Sequence, residues 1–367
     1  MKYYVYESNV SGDEWHTKDK CRSDIRKLLT QRGYEPIGIP VSDAEDDKDK
    51  GAVRNAAKKS INTGKNFKNW MDYLKKVRKN DIVVIQYPPY QKTLLANILV
   101  LLKMKGAFVI GIIQDLGSYR DNEEGKLIKH WSTVEDAYAL SFFNQVIVNN
   151  VKMRKILLAS EFSDKKLVNI RLFDYLTDVE NEKDPKERFS KDAPVVIAAE
   201  LQHVMNEKGY YIYSSKKDPG VKFNIYGPDV EEQFIENLDY DYKGAFLPEE
   251  IPARIEGSFG LVWEGNCLDT CDGNWGEYLR INNPNKLSMY LAAGIPIIIW
   301  SGAALAEFVT KYGLGITVDS IYDIKNAIVK VSQEEYEGMI ENIRPFTNAV
   351  KNGKFFDKAI ERAELKL

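Results

Sequence analysis

Long apolar runs and amphipathic stretches alternate along the first half of the chain. DIVVIQ (Asp81–Gln86) and FVIGIIQ (Phe108–Gln114) are continuous apolar runs, the pattern of parallel strands covered on both faces. Lys92–Lys105 between them reads as a helix. Ahead of them, Tyr3–Glu7 reads as a strand, and Lys18–Gln31 as a helix with Ile25, Leu28 and Leu29 on one face. Gln145–Val148 adds a strand and Val151–Ser160 a helix. Such alternation predicts a parallel sheet with helices on both sides. The stretch Ser42–Lys65 is too hydrophilic for a core element and reads as either a surface insertion or a substrate flap.

From Thr177 to Ala193 the charged segment DVENEKDPKERFSKD carries no apolar period, and the pattern restarts with VVIAA at Val195. Further strands are predicted at Phe223–Tyr226, Gly260–Trp263, Ile295–Trp300 and Gly315–Val318. Helices are predicted at Lys286–Ala293, Ala304–Tyr312, Glu334–Ala349 and Phe355–Leu365. The fold class expected is α/β: two Rossmann-like, doubly wound parallel-sheet domains facing across a cleft. Residues 1–180 form the first domain and residues 181–350 the second, while residues 351–367 form a terminal helix returning to the first. A chain of 367 residues has enough apolar surface for two cores.

Charged residues make up 29% of the chain and hydrophobic ones 44%, an ordinary globular balance. The formal net charge of -3 gives no reason to expect nucleic acid as a partner. MKYYVYES lacks the charged head and apolar stretch of a secretory signal. The most apolar region, Leu94–Gln114, is broken by Lys103, Lys105 and Gly106, which excludes it as a span. A cytoplasmic protein is expected. Three cysteines, Cys21, Cys267 and Cys271, fit a reducing compartment better than a disulfide framework. Lys65, Lys68, Lys75, Lys76, Arg78 and Lys79 cluster around Trp70, either as a solvated face or as a peripheral contact with the inner face of a membrane. Homo-oligomerisation stays open.

The segment carrying most chemistry is NNPNKLSMYLAAGIPIIIWSGAALAEF, Asn282–Phe308. Pro284 opens a helix, Leu287, Tyr290 and Leu291 form its apolar face, and Gly294 ends it before a buried strand. The strand runs into Ser301-Gly302-Ala303-Ala304, where small residues allow close backbone approach. Amides at the start of the next helix then suit an anion such as a diphosphate. Lys286 adds a positive charge at the carboxyl edge of the sheet, where doubly wound folds bind ligands; the alternative is a solvated lysine.

The stretch GLVWEGNCLDTCDGNWGEYLRINNPNKLSMYLAAGIPIIIW resembles the donor-binding region of GT-B glycosyltransferases, and more narrowly galactofuranosyltransferases and related glucosyltransferases of cell-surface glycans. QYPPY (Gln86–Tyr90), IIQDLGSYR (Ile112–Arg120), VIVNNVKM (Val146–Met153) and FDYL (Phe173–Leu176) extend the resemblance in order along the chain. It implies transfer of a hexose, galactofuranose or glucose, from a UDP-sugar substrate to a surface polysaccharide or glycoprotein acceptor, with no cofactor. It also implies Asn283, Lys286 and Tyr290 near the nucleotide and diphosphate, and Tyr226 and Gly227 near the base or ribose. Tyr290 reads equally as a core aromatic. Asp272-Gly273-Asn274 is either a donor-sugar loop or a plain turn.

Many retaining members of the wider superfamily carry a glutamate five residues before the motif's glycine, where this chain has Met289. Glu256 and Glu264 stand eight apart but precede the helix by too many residues to replace it. An inverting transfer is therefore expected, which requires a general base on the first domain. Asp115, just past a buried strand in a motif where a histidine commonly stands at the position of Gln114, is the candidate; the alternative is an aspartate capping a turn. Glu14 and His16, on the loop after the first strand, come next. Asp239-Tyr240-Asp241 is spaced for a metal, but Lys286 and helix amides can meet the leaving diphosphate, so no metal is expected. Rival readings are a UDP-sugar 2-epimerase of the same fold and a non-catalytic GT-B-like partner subunit.

Overall fold

The computed structural model describes residues 1–8, 17–40, 52–89, 92–120, 136–181, 184–205 and 207–366. Twelve strands among them form two six-stranded sheets in which every pairing is parallel. The first holds β1 (Lys2–Ser8), β2 (Glu35–Pro40), β3 (Ile82–Tyr87), β4 (Phe108–Ile113), β5 (Gln145–Val148) and β6 (Leu167–Asn169), in the order β2-β1-β3-β4-β5-β6. The second holds β7 (Val195–Ala198), β8 (Lys222–Tyr226), β9 (Asp239–Gly244), β10 (Phe259–Val262), β11 (Ile297–Trp300) and β12 (Gly315–Val318), in the order β12-β11-β10-β7-β8-β9. Chain order reverses between β1 and β3 in one sheet and between β7 and β10 in the other. Such switch points open a crevice at the strand carboxyl ends.

The first sheet is covered on both faces. On one side α2 (Ala52–Tyr73), the turn after it and α3 (Lys92–Met104) bury Trp70, Leu74, Leu95, Ile98 and Leu102 against it. On the other, α1 (Thr17–Gln31) contributes Ile25, Leu28 and Leu29. The reading of Ser42–Lys65 as a surface insertion or flap needs correction: residues 52–65 belong to α2, where Asn62 and Asn66 are buried, and residues 41–51 lie outside the described residues. The second half has one continuous core that includes Val196, Ile225, Leu261, Ile298, Leu287 and Tyr290.

Several short elements had no clear pattern in sequence. Strand β2 contains Pro36, Gly38 and Pro40, which a sheet edge tolerates because one side of the strand makes no ladder bonds. Strand β9, DYDYKG, is also an edge. Its Tyr240 and Tyr242 pack on the core, while Asp241 pairs with Lys222 at 3.0 Å. This acidic pair therefore sits toward the start of the sheet, at the end away from the crevice.

The halves are joined by more than the linker. After α8, defined here as Gln333–Lys351, the chain turns at Gly353 and forms α9 (Lys354–Glu364), which buries Phe356, Ala359, Ile360 and Ala363 against Tyr4, Ile110, Ile112 and Ile147 of the first half. Between the two ends of the chain lie α4 (Val151–Ala159) in the first half and α5 (Gly273–Leu279), α6 (Asn285–Ala292) and α7 (Ala306–Lys311) in the second. Asp174 anchors the start of α9, accepting from the Phe355 and Phe356 amides at 3.2 and 2.7 Å.

Candidate active site

The two carboxyl edges meet around a charged cluster. Glu264 follows β10 directly and is wholly buried, with ion pairs from its Oε1 to Lys286 Nζ at 3.3 Å and Lys208 Nζ at 3.4 Å. Among the described residues its carboxylate oxygens have no partner besides these two lysines, which offset its burial. Lys286, at the start of α6, is 6% exposed and donates to the Trp263 carbonyl at 2.9 Å. Lys208, on the loop after β7, keeps 26% of its side chain exposed and lies over the Trp275 ring at 5.2 Å.

These surroundings move the two lysines in opposite directions. Burial pulls the Lys286 ammonium below its ordinary range; Glu264 opposes that shift and the charge of Lys208 adds to it. Burial acts the same way on Lys208, but the carboxylates of Glu264, Glu200 and Asp115 outweigh it and hold that ammonium above its ordinary range. With Glu264 and both lysines charged, the triad carries one excess positive charge, a suitable environment for a diphosphate.

Backbone shape permits this crowding. Gly265 has φ +124°, and a Cβ there would lie 2.4 Å from the Asp272 carbonyl oxygen. Its N–H donates to the Lys208 carbonyl and its own carbonyl accepts from the Tyr211 N–H. The loop after β7 is thereby tied to the loop after β10. Gly227 serves a similar purpose after β8, since its φ is +147° and a Cβ would collide with the Ala199 carbonyl oxygen at 1.8 Å.

Asp115 faces this cluster from the end of β4 and contributes to the field at Lys208. The Tyr278 hydroxyl, carried by α5 of the second half, accepts from the Leu116 N–H at 2.8 Å and donates to Asp115 Oδ1 at 3.3 Å. A carboxylate from one sheet is thus oriented by a phenol from the other. Glu14 and His16 lie outside the described residues.

Other candidates are placed elsewhere. Tyr290 is fully buried, and its hydroxyl is occupied by the Ala198 N–H and the Val196 and Leu261 carbonyls; it belongs to the core, with no atom to offer the crevice. Tyr226 is likewise buried, its hydroxyl accepting from the Glu256 N–H and donating to the Arg254 carbonyl. Asn283 binds the other half instead of open space: its Nδ2 donates to the Asn149 and Arg171 carbonyls at 2.8 and 3.0 Å, and its Oδ1 accepts from Asn150 Nδ2 at 2.8 Å.

The amides expected to be open between Ser301 and Ala304 are largely used. Those of Ser301, Ala303 and Ala304 donate to the Val318, Trp300 and Leu279 carbonyls, and the Ser301 hydroxyl donates to Asp319. Gly302 packs close to the Trp300 ring. Asp272 precedes α5 and Gly273 and Asn274 open it: Asp272 Oδ1 accepts from the Asn266 N–H at 2.8 Å, and Gly273 takes φ +66°. Among the described residues, no group of three His, Cys, Asp or Glu side chains is placed to hold a metal.

Lys208, Glu264 and Tyr278 are the residues sequence reasoning did not select. Glu264 had a usable signal, being a carboxylate immediately after a buried run, the same signal that singled out Asp115. Lys208 and Tyr278 had none, because what matters about them is the element each one faces.

Comparison with known proteins places this geometry. A model of the N-terminal domain of the glucosyltransferase 3-like family matches residues 2–172, and a model of the C-terminal domain of the same family matches residues 195–363. The chain belongs to the glucosyltransferase 3-like family. It is 32% identical over 231 residues to the Beta-1,6-galactofuranosyltransferase WbbI of Escherichia coli (strain K12), covering 62% of this chain and 65% of that protein. It is 29% identical over 229 residues to Glucosyltransferase 3 of Streptococcus gordonii, covering 60% and 62%. Each alignment takes in less than two thirds of the relative. A sucrose-phosphate synthase from Thermosynechococcus elongatus superimposes with a TM-score of 0.63 at 12% identity, covering 99% of this chain and 98% of the other. The fold is GT-B.

Proposed function

We propose that the protein is a glycosyltransferase that moves a hexose, galactofuranose or glucose, from a UDP-sugar to a surface polysaccharide or glycoprotein acceptor. The observation carrying this reading is the convergence of Asp115 from one sheet and the Lys208–Glu264–Lys286 triad from the other on a single crevice. Family membership and the names of the two relatives support the sugar-transfer chemistry.

In the proposed step, Asp115 takes the proton of the acceptor hydroxyl as its oxygen bonds to the anomeric carbon. The bond from that carbon to the diphosphate oxygen breaks, and its electron pair leaves with UDP. Lys208 stabilises the charge that grows on the leaving group, and Lys286 holds Glu264, which in turn pairs with Lys208. Attack from the face opposite the leaving group inverts the anomeric centre. No metal is needed in this scheme, so activity should survive EDTA.

A panel of UDP-sugars incubated with glycan acceptors and followed by mass spectrometry tests the reading. The expected product is an acceptor heavier by one hexose, with UDP released. Epimerisation of free UDP-sugar without acceptor, or failure to bind any nucleotide, would overturn it.

A further inference from the structure

Trp70 is 2% exposed and packs in the first core, which removes it as a membrane anchor. The lysines near it nevertheless gather with others into one surface at the strand-start edge of the first sheet. Lys105 donates to the Leu74, Lys75 and Val77 carbonyls at 2.7, 3.3 and 3.1 Å, which brings the end of α3 onto the turn after α2. A Cβ at Gly106 would lie 2.9 Å from Lys79 Cγ. Lys103 is close enough to help lower Lys166, after the larger effect of burial. Lys75, Lys76, Lys79, Lys103 and Lys105 are all exposed.

Two acidic groups here are already engaged, and a third, the exposed Glu35, adds a negative charge near Tyr3. Asp72 pairs with Lys75 at 2.6 Å, and Asp81 is taken by the terminal amine at 2.7 Å and by the Arg78 N–H. Two large apolar side chains stand among the cations: Met104 is 79% exposed and Tyr73 45%. Lysines alone would suit any polyanion. Lysines around an exposed thioether and a phenol suit an anionic lipid surface, where the charges meet headgroups and the apolar ends enter the boundary with the acyl chains.

We propose that this face docks the protein on an anionic bilayer. The strands run from the docking face to the crevice, so six residues of β4 set the crevice roughly 20 Å from the lipid and facing away from it. On the glycosyl-transfer reading, the acceptor's growing end must then stand off the membrane by about that distance. The docking itself does not depend on that reading.

Co-sedimentation with vesicles of phosphatidylcholine, with and without phosphatidylglycerol, at low and high salt, tests the surface. Binding is expected only with phosphatidylglycerol, falling as salt rises. It should weaken by about tenfold or more in Lys79→Glu/Lys103→Glu and also weaken in Met104→Asp, with thermal melting showing that both variants fold. Absence of binding at low salt, equal binding to neutral vesicles, or undiminished binding of both variants would overturn the proposal. So would tighter binding to a homopolymer RNA than to the vesicles. A protein that docks but turns over no UDP-sugar would leave this surface standing and sink only the enzymatic reading.

Discussion

Lys208 and Lys286 bring the same charge to one crevice under different constraints. Lys286 is nearly inaccessible and holds both Glu264 and a backbone carbonyl, so its removal leaves a fully buried carboxylate with one cation. Lys286→Ala is expected to destabilise the fold by about 3 kcal/mol, read from urea unfolding. Lys208 is the more open of the two, so water can replace part of its pairing with Glu264, and Lys208→Ala should destabilise the fold by less than Lys286→Ala. Calorimetry should show it weakening UDP far more than uridine, because only UDP brings the diphosphate. Equal losses for both ligands would place Lys208 away from the phosphates. Asp115→Asn keeps shape and its acceptance from Tyr278 while removing the basic oxygen. Turnover should fall by about two to four orders of magnitude with UDP affinity nearly intact, and normal turnover would move the base elsewhere.

At the scale of elements, one helix start serves as a clamp between halves. Asn283 makes three hydrogen bonds to the first half just before α6. Asn283→Ala should cost about 1–3 kcal/mol by taking a donor from the Arg171 carbonyl and one of two from the Asn149 carbonyl, which keeps the Arg171 N–H, measured by denaturation, with no selective effect on UDP over uridine. Here lies the limit of what sequence could show. Apolar runs marked the long central strands, because burial on both faces leaves an unmistakable pattern. Edge strands β2 and β9 and the short α5 left none. Periodicity marks Tyr290 and the family resemblance marks Asn283, but neither says what they face: one faces the sheet above it, the other the opposite half. Asp115 and Lys286 were legible because each follows or opens an element with a strong pattern of its own. Asp174, which anchors α9, shows how an element junction can titrate. Burial pushes its carboxyl up to about 8, against two helix amides that act to lower it. Between about pH 4 and pH 8 the folded protein therefore holds a proton that the unfolded chain has released, and stability falls as pH rises, by up to about 1.4 kcal/mol per unit. In Asp174→Asn the melting temperature should lose that downward slope; identical slopes in both proteins would show that Asp174 does not titrate there.

For the whole molecule, chain order and spatial order part company at the last helix. The second half is built from residues that follow the linker, yet α9 leaves it and completes the first core with Phe356, Ala359, Ile360 and Ala363. Arg32 of the first half reaches back to it, pairing with Asp357 and Glu361 at 3.2 Å each, and Lys2 pairs with Glu364 at 2.7 Å. The first sheet consequently has one apolar face that nothing before residue 353 fully covers. Truncation before Lys354 removes that cover, exposing Ile110, Ile112 and Ile147 at the middle of the sheet. Each large apolar side chain lost or uncovered forfeits roughly 1.5–3 kcal/mol, so losing Phe356 and Ile360 while uncovering Ile110, Ile112 and Ile147 is comparable to the entire stability of an ordinary domain. Hydrogen exchange on the truncated protein should show protection lost first in β1, β4 and β5, all far from the cut in sequence, with β10 and β11 still protected. A synthetic peptide of residues 352–367 added in excess should restore protection to those three strands. If the truncated chain instead loses protection in β10 and β11 first, α9 supports the second core, and the two halves are coupled through α6 and the Asn283 clamp alone.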